Sequence, residues 1–194
     1  DRRRVKIGNC QIRSELLQIR STLDVAIWFI ERAESAGGRL NPGQMHCLLY
    51  LAQAVWASQT QGRKFMPATF IATGRGPLEP TIYHVFEAGR PDVDAVYPFG
   101  RAEIFLHDIW DRYGEKPVED VRRSIEGDAA YTKALIEGRN SEVLVRAMTL
   151  AYGGTLPAPG KEPAKIVDGD QPDKPYYTQS GKRAVKWVPG MKRT

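Results

Sequence analysis

The stretch LNPGQMHCLLYLAQAVWA, residues 40–57, most constrains how this chain can fold. Asn41 is a helix-capping residue, Pro42 suits the first helical position, and Gln44 stands three residues after the cap. That order predicts a capping box with proline where a missing N–H costs nothing. Met45, Leu48, Leu49, Ala52, Val55 and Trp56 then recur at helical spacing as one apolar stripe. The opposite side carries Cys47, Leu51 and Ala54, with Tyr50 and Gln53 as its polar handles. A helix apolar all round is surrounded by other elements rather than laid on a surface. Residues 42–57 therefore read as a central helix around which the fold closes.

Upstream, Ser21 followed by Asp24 marks another helix start. Leu23, Ala26, Ile27, Ile30 and Ala33 give its inner face, widened by Val25, Trp28 and Phe29. Gly37-Gly38 ends it, because glycine accepts the left-handed conformation of helix ends. The short connection predicts antiparallel packing of these two helices. Residues 61–75, with glycines, a proline and a β-leaning centre at Ala68–Thr73, read as an extended segment or small strand pair. The Gly-Arg-Gly-Pro-Leu-Glu-Pro stretch that overlaps its end reads as a tight turn. Pro80 opens a further helix with Ile82, Val85 and Phe86 inward, and Glu79 lies at its positive end. Arg101–Tyr113 repeats the pattern with Ala102, Phe105, Leu106, Ile109 and Tyr113. Weaker helical patterns cover 118–126 and 128–137. A last helix is expected from Ser141 to Tyr152, with Val143, Leu144, Ala147, Leu150 and Ala151 inward.

The expected fold class is mainly α: one compact multi-helix domain over 21–154, with a small extended element at 65–75. A basic extension at 1–20 precedes it, where Ile12, Leu16, Leu17 and Ile19 suggest a short amphipathic turn. A non-globular tail at 155–194 follows, with six prolines, little periodicity and a basic finish. No apolar run reaches the roughly 20 residues that cross a bilayer, and DRRRVKIG does not read as a signal peptide. Two cysteines, Cys10 and Cys47, fit a reducing, cytoplasmic setting without a disulfide framework.

Candidate chemistry is sparse. His46 and Cys47 are adjacent on a helix and diverge by about 100°, so they do not chelate together. His84 and His107 are isolated from any CxxC or HExxH spacing, and Gly74 and Gly76 lack a following phosphate-binding lysine. Glu79, Glu87 and Glu103 are scattered carboxylates. No catalytic residue, metal site or cofactor is assigned, and an enzyme is the weakest reading. The net charge of +5 gathers at the ends: Arg2, Arg3, Arg4 and Lys6, then Lys182, Arg183, Lys186, Lys192 and Arg193. With Tyr176, Tyr177 and Trp187 to stack on bases, such ends also suit nucleic acid.

Two motifs taken together carry a resemblance. The run DVAIWFIERAESAGGRLNPGQMHCLLYLAQAVW resembles the opening helix pair of the SocA-like antitoxin family, the Panacea domain, through Asp24, Val25, Ala26, Leu48, Leu49, Tyr50 and Gln53. The family's Gly-Pro-Val, proline and Val-Tyr helix is matched by Gly76, Pro77, Leu78, Pro80, Ile82 and Tyr83, and its later Tyr-Gly by Tyr113-Gly114, with Ile109 upstream. Gln44 and Cys47 stand where the family carries lysines, Thr73 and Arg75 where it has an aromatic pair, and Ala130-Tyr131 for its Pro-Trp. The resemblance spans about residues 22–152. Members are bacterial or phage proteins that bind and neutralise a toxin encoded beside them, and at least one type delivers its toxin to a Clp protease. It implies a protein-interaction module without catalytic residues. On that reading the contact surface is expected at Arg75, Glu79, Tyr83, His84 and Glu87, with tail contacts from Tyr176, Tyr177, Lys182, Arg183 and Trp187. The alternative is a nucleic-acid or ribonucleoprotein-associated protein that binds through its basic termini.

Overall fold

The computed structural model describes residues 19–156. The expected turn at 12–19, Cys10 and the tail contacts at 176–187 lie largely or wholly outside them. Seven helices and three short strands follow in order: α1 (Thr22–Ser35), α2 (Pro42–Gln59), β1 (Phe70–Thr73), β2 (Gly76–Leu78), α3 (Pro80–Phe86), α4 (Arg101–Tyr113), α5 (Val118–Glu126), α6 (Ala129–Glu137), β3 (Glu142–Val143) and α7 (Val145–Ala151). The fold class is the one the sequence predicts.

Helix α2 is the centre. It packs against α1, α4, α5, α7 and strand β2. Leu48, Leu49, Tyr50, Ala52, Gln53, Ala54 and Ala57 are fully buried, and so is most of the rest of the helix. Burying one leucine contributes about 1.5–3 kcal/mol, so a helix buried on most faces holds its neighbours largely by apolar burial. Both of its ends are set locally. Asn41 Oδ1 accepts the Gly43 N–H at 2.8 Å. At the far end, Gly62 donates to the Ala57 carbonyl at 2.8 Å once Gln61 has turned to φ 56°. The capping box does not form. Gln44 Nε2 instead donates to the carbonyls of Gly114 (2.8 Å) and Lys116 (2.9 Å), tying α2 to the end of α4. Two carbonyls at the end of α4, the Gly114 one buried, take the amide in place of the local cap.

Around this axis sit three aromatic groups. Trp56, Phe65 and Phe105 meet with centroids 5.0–5.1 Å apart, and the Arg101 guanidinium lies 5.1 Å over Trp56. Trp28 meets Phe29 and the His107 ring edge-on. Tyr50 meets Phe70 at 5.5 Å, which joins α2 to the sheet.

The sheet has the order β2-β1-β3, antiparallel throughout. Two parts of it depart from expectation. The extended segment is a hairpin whose second strand occupies Gly76–Leu78, beyond the expected boundary at 75. The helix expected from Ser141 starts at Val145, because Glu142 and Val143 pair with Ile71 and Phe70. That shift rotates the final helix. Met148 and Thr149 are buried, whereas Leu144 and Leu150 are 55% and 57% exposed. Edge pairing for β1 outweighed the helical spacing of Val143, Leu144 and Ala147. Helix α7 ends in two bonds that close a glycine cap, Gly153 N–H to Leu150 and Gly154 N–H to Thr149. A Cβ on Gly154 would lie 2.5 Å from the Ser58 backbone, so only glycine lets α7 lie this close to α2.

Candidate partner-binding surface

The candidate surface is built on the hairpin. Ile71, Ala72 and Thr73 pair with Leu78, Pro77 and Gly76, leaving Gly74 and Arg75 as the loop. Thr73 holds the loop from both sides: its hydroxyl donates to the Gly76 carbonyl (2.8 Å) and accepts the Arg75 N–H (3.2 Å). Gly76 adopts φ +119°, a conformation that side-chain-bearing residues rarely take. The Tyr131 hydroxyl donates to the Thr73 carbonyl, fixing the hairpin against α6. Arg75 is thereby presented at an exposed, ordered tip.

Strand β2 runs straight into the cap of α3. Glu79 Oε2 accepts the Ile82 N–H at 2.7 Å, and the Glu79 N–H donates to His46 Nδ1 at 3.2 Å. Glu79 is only 3% exposed. It stands where expected, at the positive end of the helix. Its carboxylate faces inward, however, so its part in any contact is to set the angle of α3. Pro80 occupies the first helical turn, as expected.

Beyond this cap the remaining candidates project outward. Tyr83 is 49% exposed. His84 Nδ1 lies 3.6 Å from Glu87 Oε2, and both side chains are largely exposed. Tyr83 and Glu87 line a groove of about 440 Å³. Ile30 of α1 and Leu40, Pro42, Met45 and His46 at the start of α2 form its floor, and Phe86, Gly89 and Arg90 complete it. His84 is not among the lining residues. Arg75 lies on the hairpin tip rather than in the groove. Glu79 is adjacent but beneath the surface.

Sequence reasoning missed the ion pairs that hold Arg90 at this groove. Arg90 reaches back to α1, with its guanidinium 2.7 Å from Glu31 and 3.2 Å from Glu34. The Tyr97 hydroxyl donates to Glu31, and the Val96 N–H donates to Asp24 Oδ1 at 3.0 Å. The loop between α3 and α4 is therefore strapped across α1. These half-exposed ion pairs each contribute about 0.2–1 kcal/mol, enough to bias the loop without fixing it. Their separation of more than fifty residues leaves no local pattern to read; the nearest signal was the Glu31–Glu34 spacing on the polar side of α1.

The buried titratable groups serve the interior. Burial pushes the Cys47 thiol up to about 12, far from thiolate reactivity. Burial, and then the adjacent Asp128 carboxylate, push the Tyr50 phenol well above its ordinary value. Among the described residues no three His, Cys, Asp or Glu side chains converge on a point that would hold a metal ion, and no helix is long and apolar enough to cross a membrane.

His46 carries a measurable consequence. It is 5% exposed, and burial lowers its pKa from 6.5 to about 4. The unfolded chain takes up a proton here below its ordinary value, whereas the folded chain resists until about pH 4. Stability from this residue is thus complete above about pH 6.5 and is lost as the pH falls to about 4, a change of roughly 3 kcal/mol. Urea midpoints are expected to fall more steeply with acid in the wild type than in His46→Gln. Parallel pH profiles would refute a neutral buried imidazole.

Compared with protein-family models, curated proteins and solved structures, the chain matches none.

Proposed function

We propose that this chain is a protein-interaction module of the antitoxin or adaptor type. It neutralises a partner toxin by direct contact and, in the adaptor form, presents that partner to a Clp protease. The observation that carries the reading is the groove of about 440 Å³ beside the half-exposed Tyr83, on a helix whose start is fixed by the buried Glu79 cap. An exposed aromatic at the edge of a preformed apolar groove is the usual anchor of a protein contact. The resemblance supports it from a second direction. Its Tyr83 position lies at this edge, and its Tyr50 and Gln53 make buried hydrogen bonds within the core.

The test is affinity recovery from the native cell with the full chain and a Tyr83→Ala variant. Tyr83 is half-exposed, so its truncation should leave folding stability within about 0.5 kcal/mol. One dominant, nuclease-resistant protein is expected with the wild type, and its recovery should drop on the order of tenfold or more with Tyr83→Ala. Recovery of nuclease-sensitive material that washes off in moderate salt would replace this reading with nucleic-acid binding through the basic ends.

A further inference from the structure

The groove beside Tyr83 has one buried polar side chain in its lining, His46, which is only 5% exposed. Its Nδ1 lies 3.2 Å from the Glu79 backbone nitrogen. A backbone N–H can only donate, so Nδ1 is the acceptor of that bond. Burial lowers the His46 pKa to about 4, so the ring is neutral and carries a single proton. That proton therefore sits on Nε2, which has no partner among the described residues. The rest of the inner lining is apolar, from Ile30, Leu40, Met45 and Phe86. Charge does not select an occupant. The lining holds one carboxylate, Glu87, and one guanidinium, Arg90. Arg90 is taken by Glu31 and Glu34 at 2.7 and 3.2 Å, and the Glu87 side chain, 64% exposed, stands in solvent.

We propose that the groove is a binding site for a small, uncharged molecule with an apolar body and one carbonyl-type oxygen that accepts the His46 Nε2–H. Its volume of about 440 Å³ lies within the range of sites that enclose a small ligand, and such sites pair an apolar lining with a few placed polar groups. A donor in an apolar setting gains most from an acceptor brought directly to it, because the bond is then shielded from competing water. The Glu79 amide holds the imidazole in the donating tautomer before any ligand arrives, so the bond needs no rearrangement. A carboxylate is disfavoured, since it would be desolvated against a lining whose only cation is already paired. An ammonium has no acceptor for the Nε2–H and gains little from a carboxylate in open solvent. The proposal goes beyond the protein-interaction reading and does not rest on it. Tyr83 stands at the rim used by both, so the small molecule and a protein partner exclude one another there.

Three probes with the same phenyl-alkyl body and different heads test this on the full-length protein: the ketone benzylacetone, the carboxylate phenylbutyrate and the ammonium phenylbutylamine. Nitrogen NMR of isotopically labelled histidine reads the site directly, with His84 and His107 as internal references. Before any probe is added, His46 should show a protonated Nε2 and a bare Nδ1. Benzylacetone should bind most tightly and move the His46 Nε2 signal, leaving His84 and His107 in place. His46→Phe should weaken the ketone about fivefold, the usual worth of one hydrogen bond, and leave phenylbutylamine unchanged. Phe86→Ala should weaken all three probes alike, because it removes part of the apolar lining. If His46→Phe does not fold, the Nε2 signal of the wild type decides alone. A proton found on Nδ1, a Nε2 signal unmoved at saturating ketone, tightest binding by either charged probe, or no binding by any of the three would each overturn the proposal. The protein-interaction reading is judged separately, by recovery of a native partner with the wild type and its loss with Tyr83→Ala.

Discussion

Replacing Asp128 with alanine is expected to cost about 4 kcal/mol of folding stability, summing a lost helix cap and an orphaned buried hydroxyl. One carboxylate serves two elements. Oδ1 accepts the Ala130 and Tyr131 N–H groups at 2.6 and 3.4 Å, opening α6. Oδ2 accepts the Tyr50 hydroxyl at 2.6 Å, joining α6 to the central helix. Tyr50 is fully buried, so no water can replace the lost acceptor. Asp128→Asn keeps the cap acceptor and puts an NH2 against the Tyr50 hydroxyl, which can only receive a reversed hydrogen bond, so it should cost about 1 kcal/mol, the usual worth of one weakened bond. Tyr50→Phe removes the other partner. A double-mutant cycle between it and Asp128→Ala should return at least about 1 kcal/mol of coupling. Urea denaturation of the wild type and these four variants measures all of this. A loss below about 0.5 kcal/mol for Asp128→Ala would mean the carboxylate is not the joint described.

Gln53→Leu is expected to be comparably damaging, again about 4 kcal/mol, because it orphans two backbone donors at once. Gln53 is fully buried, and its Oε1 accepts the N–H groups of Phe65 and Met66, each at 3.1 Å. Those two bonds hold the connection between α2 and β1 against the core, where Phe65 completes the ring cluster with Trp56 and Phe105. Leucine fills the volume but accepts nothing, so shape alone cannot rescue the site. Hydrogen exchange gives a local readout besides stability: the Phe65 and Met66 amides should lose protection ahead of the rest of the domain. Protection unchanged at both would count decisively against this account.

Much of the fold was legible because helix ends are written locally. Ser21, Asn41-Pro42, Gly37-Gly38 and the Arg101–Tyr113 stripe each declare themselves within a turn or two, and each helix stands where those residues put it. What escaped was set by partners far along the chain. Gln44 has the spacing of a capping box, yet carbonyls seventy residues away claim its amide. Val143 has helical spacing, yet Phe70 needs a strand beside it. Once α7 begins at Val145, Leu150 and Ala151 turn outward and Met148 and Thr149 inward, while Ala147 still packs against the core. The site divides the same way. Tyr83 and Glu87 followed from the Pro80 helix start, whereas Arg90 with Glu31 and Glu34 is a tertiary meeting. Glu79 was placed at the right position but on the wrong side of the surface, since a cap and a contact look identical in sequence.

Strand β3 and helix α7 also decide the order in which the chain becomes a domain. The central helix is made before the elements that cover its α7 side and complete the sheet. Closure therefore waits on contacts far apart in sequence, which are slow to form and leave apolar surface uncovered meanwhile. A nascent chain that has reached α6 already holds Leu48, Leu49 and Tyr50 without their final neighbours. Substitutions in 142–154, Gly154 foremost, should thus reduce how much protein survives its own synthesis, while the groove on the completed molecules stays intact.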